Sequence, residues 1–486
     1  MKRIINRIHE LVSYKSSLRL LLALLPIFGL SASCRKILEV PLPINNLTTP
    51  QAFSTDVEAN DAMSGVYYQM INTNGSMMSY AMTTFGGMSA DELMPFNQNA
   101  SDVYIHFQEN DLTSSNAAII QNFWTPAYST IYKVNSILEG LNNSTTISDS
   151  ARNELIGEAK FVRAFCNFYL ANLFGEVPLI TSINWRNTNL LSRSDSAQIY
   201  QSILADLLDA KGKMLSDYSA GGGQRIVPNK WAAIALLARV YLFMGDWQNA
   251  KLQADSVISC GLYSLATDLK TVFYSNSSEA IWQLQQSLLL ISRSATPEGY
   301  QLIPRNKTTF PFVYLTTSLL NSFELGDNRK LMWIDSTKYM GIQYYYPYKY
   351  QIGRSQASIT GPYIEYYMVL RLAEQYLIRA EAEANGAGNG INDAIVDLNY
   401  IRSRANLLPY AGPVDQNSVL NAIFHERQIE FFSEWGHRWL DLKRTGQAVT
   451  TLSAAKKINI LSSSLLYPIP ISELQADPNL SQNPGY

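Results

Sequence analysis

The sequence predicts a mainly α protein in which helices pack in repeated pairs, with an irregular half of loops and short strands set among them. Three observations predict it. Apolar residues recur at helical spacing through most of the chain, from Asp56 to Trp435. Two stretches, LLARVYLFMGDWQNA and AEQYLIRAEAEANGAGNGINDAIVDLNYIRSRA, read as helix-turn-helix units with glycine in the turn. Between Gly261 and Tyr367 the helical period fades, and Tyr, Ser, Thr and Pro dominate.

In chain order, Asp56 to Tyr68 is the first amphipathic helix, followed by a loop rich in Gly, Ser, Met and Asn. Ala117 to Leu141 is the second. Glu154 to Phe174 is the third, stopped by Gly175 and then by Pro178. Ser196 to Met214 is the fourth, stopped by Gly221-Gly222-Gly223. Lys230 to Met244 and Trp247 to Ser259 form a pair. In it Leu237, Ala238, Tyr241, Gly245, Trp247 and Ala250 have the spacing of a tetratricopeptide unit. Ala238 and Ala250 are small enough for a close helix crossing, Tyr241 fills the groove, Gly245 turns the chain and Asp246 caps the next helix. EAKFVRAFCNFYLANLFGEVPL supplies another first helix of this tetratricopeptide-like kind. Repeat arrays need about three stacked units to bury a continuous core, and the chain has enough helical pairs. After the irregular segment, helices return at Tyr367 to Ala384, Ile391 to Ala405 and Val419 to Trp435. Pro468, Pro470 and Pro484 exclude regular helix around them, so the tail over 464–486 is expected to lie extended across the surface. Helical-repeat elements thus cover 56–260 and 367–445, and the irregular segment 261–366.

The N-terminus carries a different pattern. Leu20 to Leu30 is an uninterrupted apolar run, too short for a bilayer span of about 20 residues. Lys2, Arg3, Arg7, Lys15 and Arg19 precede it, and Ser31-Ala32-Ser33-Cys34 follows. A basic start, a short apolar core and small residues make a secretory signal. Its last four residues look like a bacterial lipobox, with Leu30 one place further out than the usual leucine. The expectation is a lipoprotein signal peptide over 1–33, a lipid on Cys34 and a single domain over 34–486. Plain secretion with an unmodified cysteine is the alternative.

Composition narrows the function. Net charge is -2 and no basic run occurs, which argues against nucleic acid. Charged residues make up only 16%, while Tyr numbers 29, Phe 18 and Trp 8, so hydroxyls and amides carry much of the polar surface. Tyrosines suit a sugar-binding surface because a ring offers an apolar face and a hydroxyl together; helix packing is the competing use for each. Cys166 and Cys260 read as two free buried thiols, with a disulfide in an oxidising compartment as the alternative, and no CxxC or Cys/His cluster offers a metal site.

No catalytic constellation is visible. HERQI has Ile429 where a zinc-protease motif needs its second histidine, and HRWLD at His437 lacks the spacing of a kinase catalytic loop. No G-x-S-x-G and no P-loop occur. His106, His425 and His437 read as helix residues. Asp91-Glu92 are adjacent carboxylates, and adjacency does not put two carboxyls across a sugar as a glycosidase requires. Asp91 is expected to cap a turn or bond a ligand hydroxyl. Neither an enzyme nor a cofactor is expected.

Four ordered motifs resemble the SusD/RagB family of outer-membrane nutrient-binding lipoproteins: CRKILEVP, EAKFVRAFCNFYLANLFGEVPLI, ERQIEFFSEWGHRWLDLKRTG and YPIPISELQADPNLSQNPGY. The likeness runs from Cys34 to Tyr486. It implies a SusD-like fold and a binding role: capture of an oligosaccharide or polysaccharide at the cell surface and delivery to a SusC-type TonB-dependent receptor. It also implies that the repeat half faces this channel and the irregular half carries the ligand surface, and that the protein sits lipid-anchored on the outer membrane, facing out. A tetratricopeptide scaffold lipoprotein for envelope protein assembly is the alternative, and a glycan hydrolase is disfavoured.

Within the third motif, Glu426, Arg427, Glu430, Arg438, Asp441 and Arg444 alternate in sign among aromatics. They read as a semi-buried network fixing the last helices against the array rather than as an acid/base site. Family ligand residues do not transfer by motif, so the candidates are positional. The loop SADELMPFNQNASDVYIHF offers Phe96, Asn97 and Tyr104, and the middle segment offers Trp333 and Tyr345.

Overall fold

The computed structural model describes residues 52–96, 102–287, 294–357 and 364–486. Thirteen helices matter here: α1 Asp56–Asn72, α2 Met82–Ser89, α3 Asp102–Glu109, α4 Thr125–Asn143, α5 Asp149–Phe174, α6 Ser196–Lys213, α7 Lys230–Met244, α8 Trp247–Ser259, α9 Leu372–Ala384, α10 Ile391–Arg404, α11 Gln416–Phe431, α12 His437–Arg444 and α13 Ala448–Lys456. The strands form three two-stranded antiparallel sheets: β1 Leu93–Pro95 with β3 Val313–Leu315, β2 Ala280–Leu284 with β6 Tyr367–Arg371, and β4 Ile334–Tyr339 with β5 Ile342–Pro347.

The pair α7/α8 shows how local chemistry sets this fold. Gly245 sits left-handed at φ +71° and ends α7, its N–H donating to Leu242 O at 3.1 Å. Asp246 Oδ1 then accepts from Asn249 N at 3.2 Å and starts α8. Ala238, Ala250 and Ala254 let the two helices close on Ile378 and Ala382 of α9, with Tyr241 and Trp247 along the edge. Leu377, Ala380, Leu398, Ile401 and Ile423 continue this core through α10 and α11. Each helix from α4 to α11 packs on the next, and α8 packs directly on α9. The residues between α8 and α9 are therefore an excursion from an unbroken helical array. At its centre the Arg239 guanidinium of α7 donates to both Glu374 oxygens of α9, at 2.6 and 2.7 Å, and to Tyr169 Oη of α5 at 3.2 Å.

Some expected elements differ. The segment after α1 is not a loop: a π-helical turn over Met77–Ala81 leads into α2. Every residue of α2 is buried, so it has no polar face to produce a period. Tyr367–Arg371, expected as the start of a helix, is strand β6; it too is buried throughout, and without alternation a buried strand and a buried helix look alike in sequence. Helix α11 ends at Phe431 rather than Trp435, because Ser433, Trp435 and Gly436 all adopt positive φ. The tail contains a short helix over Ile471–Ala476 and is tied down, with Asn483 Nδ2 donating to Phe174 O at 2.8 Å and Tyr467 O at 2.9 Å. Cys166 and Cys260 are free, Cys166 buried and Cys260 half-buried.

The alternating charges of the third motif divide into three groups whose partners come mostly from distant segments. Glu430, 0% exposed, receives Arg329 at 3.0 Å, Arg371 at 2.5 Å and Arg404. Glu426 receives Arg329 at 2.5 Å. Arg427 and Arg444 both donate to Asp441, each at 2.8 Å, and Arg444 reaches Glu381 of α9 at 2.7 Å. Arg438 holds both Asp91 oxygens, at 2.8 and 2.9 Å. Arg329 belongs to the irregular segment, Arg371 to β6 and Arg404 to α10, so Glu430 joins that segment to the array. Burial would raise the Glu430 pKa, but Arg404, Arg371 and Arg329 together pull it well below the ordinary carboxylate value.

Candidate functional site

Two depressions meet on the irregular half, sharing Tyr300 and Gln301. The first encloses about 390 Å³ between Tyr300, Phe310 and Phe312, with Gln301, Arg305 and Arg354 among them. The second, about 200 Å³, is lined by Asn72, Asn74, Tyr80 and Gln286. Aromatic faces beside amides and guanidinium groups make an amphipathic lining.

Local chemistry positions each wall. Thr296 Oγ1 accepts from Gly299 N at 3.0 Å and, with Pro297 following, starts a short helix over Pro297–Leu302 that carries Tyr300. Gly299 has no room for a side chain: a Cβ there would lie 2.6 Å from Ile352 O. A Cβ on Gly353 would lie 2.8 Å from Ile303. These two contacts seat the 350–356 segment on the short helix and bring the Arg354 guanidinium to 4.3 Å from the Tyr300 ring centre. The buried Glu365 carboxylate steadies that segment, accepting from Gln351 N at 2.6 Å and Ile352 N at 3.3 Å.

The opposite wall follows strand alternation. Pro311 and Val313 are buried while Phe310, Phe312 and Tyr314 are only half-buried, the period of a strand with one covered face. Phe96 N donates to Phe312 O at 3.2 Å, extending the β1–β3 pairing. Phe96 stacks on Phe310 at 5.1 Å, and Tyr104 meets Phe312 edge-on at 5.4 Å. Tyr80, placed by the π-helical turn, has its hydroxyl pushed up to about 12 by burial, and burial also raises that of Tyr104. Both hydroxyls stay neutral near pH 7, able to donate and accept.

The positional candidates thus fall in different layers. Phe96, 6% exposed, and the half-buried Tyr104 support the lining from behind. Tyr345 is 42% exposed on β5 but lies outside the lining, on the opposite face from Tyr344, which packs on Phe96 and Tyr314. Trp333 does not reach the surface: it is 0% exposed, its Nε1 donates to Leu269 O at 2.9 Å, and Lys349 Nζ sits 4.6 Å from its ring centre. Its faces are taken by protein, which removes it as a ligand residue. Asn97 and Cys34 lie outside the described residues. Tyr300, Arg305, Phe310, Phe312 and Arg354 were not singled out from the sequence. The first four share one signal, TPEGYQLIPRNKTTFPFVYL, an aromatic and proline-rich run with two bases in which Phe310, Phe312 and Tyr314 alternate; Arg354 stands apart from it in YQIGRSQ.

Asp91 and Glu92 do not form a catalytic pair. Asp91 is held by Arg438, and Glu92 accepts from Ser433 N at 3.3 Å with its pKa raised to about 8 by burial and by Asp91. A larger depression of about 630 Å³ along α4, α5 and α6 is less suited to a ligand, because its charges neutralise one another. There Lys160 and Lys213 both bond Asp209, and Arg163 bonds Asp206 and Asn135. No group of His, Cys, Asp and Glu among the described residues could hold a metal ion, and no described helix is long and apolar enough to cross a membrane.

Comparison with known proteins places these features. Residues 46–242 match a SusD-like family model described as "Starch-binding associating with outer membrane", and residues 334–486 match the SusD family model. SusD-like protein P25 of Formosa agariphila is 24% identical, the alignment covering 93% of this chain and 97% of that protein. The starch-binding protein SusD of Bacteroides thetaiotaomicron is 23% identical over 72% of this chain and 74% of its own. A solved SusD superfamily protein from Parabacteroides distasonis superposes with a TM-score of 0.76 at 25% identity, over 91% of this chain and all of that one, at 100%. Two family matches in chain order, one over the first helices and one over the motif that clamps the irregular segment, identify the chain as a member of the SusD family.

Proposed function

We propose that this protein is a lipid-anchored binding protein of the outer membrane that captures an oligosaccharide in the Tyr300–Phe310 depression and delivers it to a SusC-type TonB-dependent receptor. The observation that carries the reading is the pairing of ring faces with polar donors in one lining. A sugar ring presents C–H faces and a fringe of hydroxyls; Tyr300, Phe310 and Phe312 suit the first, and Gln301, Asn72, Asn74 and Gln286 the second. No carboxylate is among the described lining residues, which favours binding over glycoside hydrolysis. The family description supports attachment to the outer membrane, and Cys34 is the proposed lipid site. Tyr345, exposed on β5, is a further contact for a longer chain, and Asn97, outside the described residues, stays a candidate by its sequence position alone.

The test is calorimetric titration of a panel of oligosaccharides against the native chain and its Tyr300→Ala and Phe310→Ala variants. Each variant is expected to bind about tenfold more weakly, the loss of roughly one stacked ring. Unchanged affinity in both folded variants would remove the assignment.

A further inference from the structure

We infer that the oligosaccharide this depression selects is anionic, its sugars carrying carboxylate or sulfate groups. The inference rests on the glycan reading above and goes on to the ligand's charge. Arg305 and Arg354 line the same depression, linked by a hydrogen bond from Ser355 Oγ to Arg305 O. Neither has a carboxylate within ion-pair distance among the described residues, and the described lining holds no acidic residue to offset them. Several guanidinium groups elsewhere are clamped on both carboxylate oxygens, Arg163 by Asp206, Arg239 by Glu374 and Arg379 by Asp397; Arg152, Arg193 and Arg225 instead donate to carbonyl oxygens, and Arg186 lies over Trp185. Even the neighbouring Lys307 is neutralised by Asp335.

The geometry suits an anion on a sugar. Arg354 lies over the Tyr300 ring at 4.3 Å, so its flat face is taken while its N–H edge stays open. A planar fork accepts a carboxylate or sulfate through two parallel hydrogen bonds, and a ring beside it stacks the sugar that bears the group. A neutral glycan would leave two cations in the lining without a counter-charge. An anionic one supplies it, at a site whose open guanidinium groups are already solvated and cost little to approach.

The experiment compares three probes of equal length: a neutral glucose hexasaccharide, a hexauronate and a sulfated galactose hexasaccharide. Each is titrated at about 50 mM and about 500 mM salt, since screening lengths shorten severalfold over that range. At least one anionic probe is expected to bind about tenfold more tightly than the neutral one at low salt. That advantage should shrink at high salt and vanish in Arg305→Gln/Arg354→Gln. Which anionic probe wins separates carboxylate from sulfate. A neutral probe that binds as tightly as both anionic ones, or an anionic preference untouched by the double substitution, overturns the inference. In that case Tyr300→Ala still weakening the neutral probe would leave the glycan site standing. If no probe binds, or if Tyr300→Ala changes nothing, the glycan reading of the depression falls and the charge inference with it.

Discussion

Glu430 gives the sharpest test of how the irregular half is fixed to the helical array. Three guanidinium groups converge on its carboxylate, and Glu430, Arg371 and Arg329 are all nearly or fully excluded from solvent. Glu430→Gln keeps the side chain's volume and removes its charge. Breaking a buried pair from one side costs about 3–5 kcal/mol, because the partners stay buried without compensation. Total domain stability is on the order of 5–15 kcal/mol, so the loss is a large fraction of it. The assay is urea unfolding followed by circular dichroism at pH 7, with Tyr300→Ala as a surface control that should barely shift the midpoint. The substitution also carries a pH signature. Because the folded pKa of Glu430 is depressed, its stabilisation is present above the unfolded value near 4.5 and disappears as pH falls through the folded value. Native protein should lose that stability in acid, and Glu430→Gln should have none of it to lose. A midpoint shift worth under about 1 kcal/mol, the value of an exposed pair, would mean that Glu430 does not hold the irregular segment to the array.

Gly299→Ala places a Cβ 2.6 Å from Ile352 O; it should cost about 1–3 kcal/mol in thermal unfolding and weaken glycan binding, since Tyr300 and Arg354 depend on that approach. Burial raises the Glu158 pKa to about 8, and Tyr67 Oη donates to it at 2.6 Å. A raised carboxylate contributes stability that is fully present below pH 4.5 and is lost as pH rises through about 8, so Glu158→Gln should flatten the fall in melting temperature across that window. Cys34→Ala should leave the circular dichroism spectrum unchanged and move the protein from the membrane fraction to the soluble one; retention in membranes would count against lipidation at that residue.

Legibility followed the reach of the signals. The bounds of α7 and α8 agree with the sequence reading because Gly245 and Asp246 mark them within a few residues. Helix α2 and strand β6 were hidden because burial on every side erases periodicity. The ion pairs were legible as charges but not as partners: Glu430 pairs with Arg329 and Arg371, far away in the chain, and only folding brings them together. Trp333 was misread for a related reason. It lies in a segment of surface-like composition, yet it forms one side of the aromatic cage around the Lys349 ammonium together with Phe432, whose ring centre is 4.2 Å away. The lining itself joins the short helix at 297–302, the segment at 310–312 that leads into β3 and the segment at 350–356, each ordinary when read alone.

A crystal structure of the protein with a bound oligosaccharide from the panel would show whether the Tyr300–Phe310 depression is the glycan site. A sugar ring is expected stacked on Tyr300, Phe310 or Phe312, with an anionic group turned toward Arg305 or Arg354. A glycan seated instead in the charged depression between Lys160 and Arg163, with the Tyr300–Phe310 lining empty, would contradict that placement.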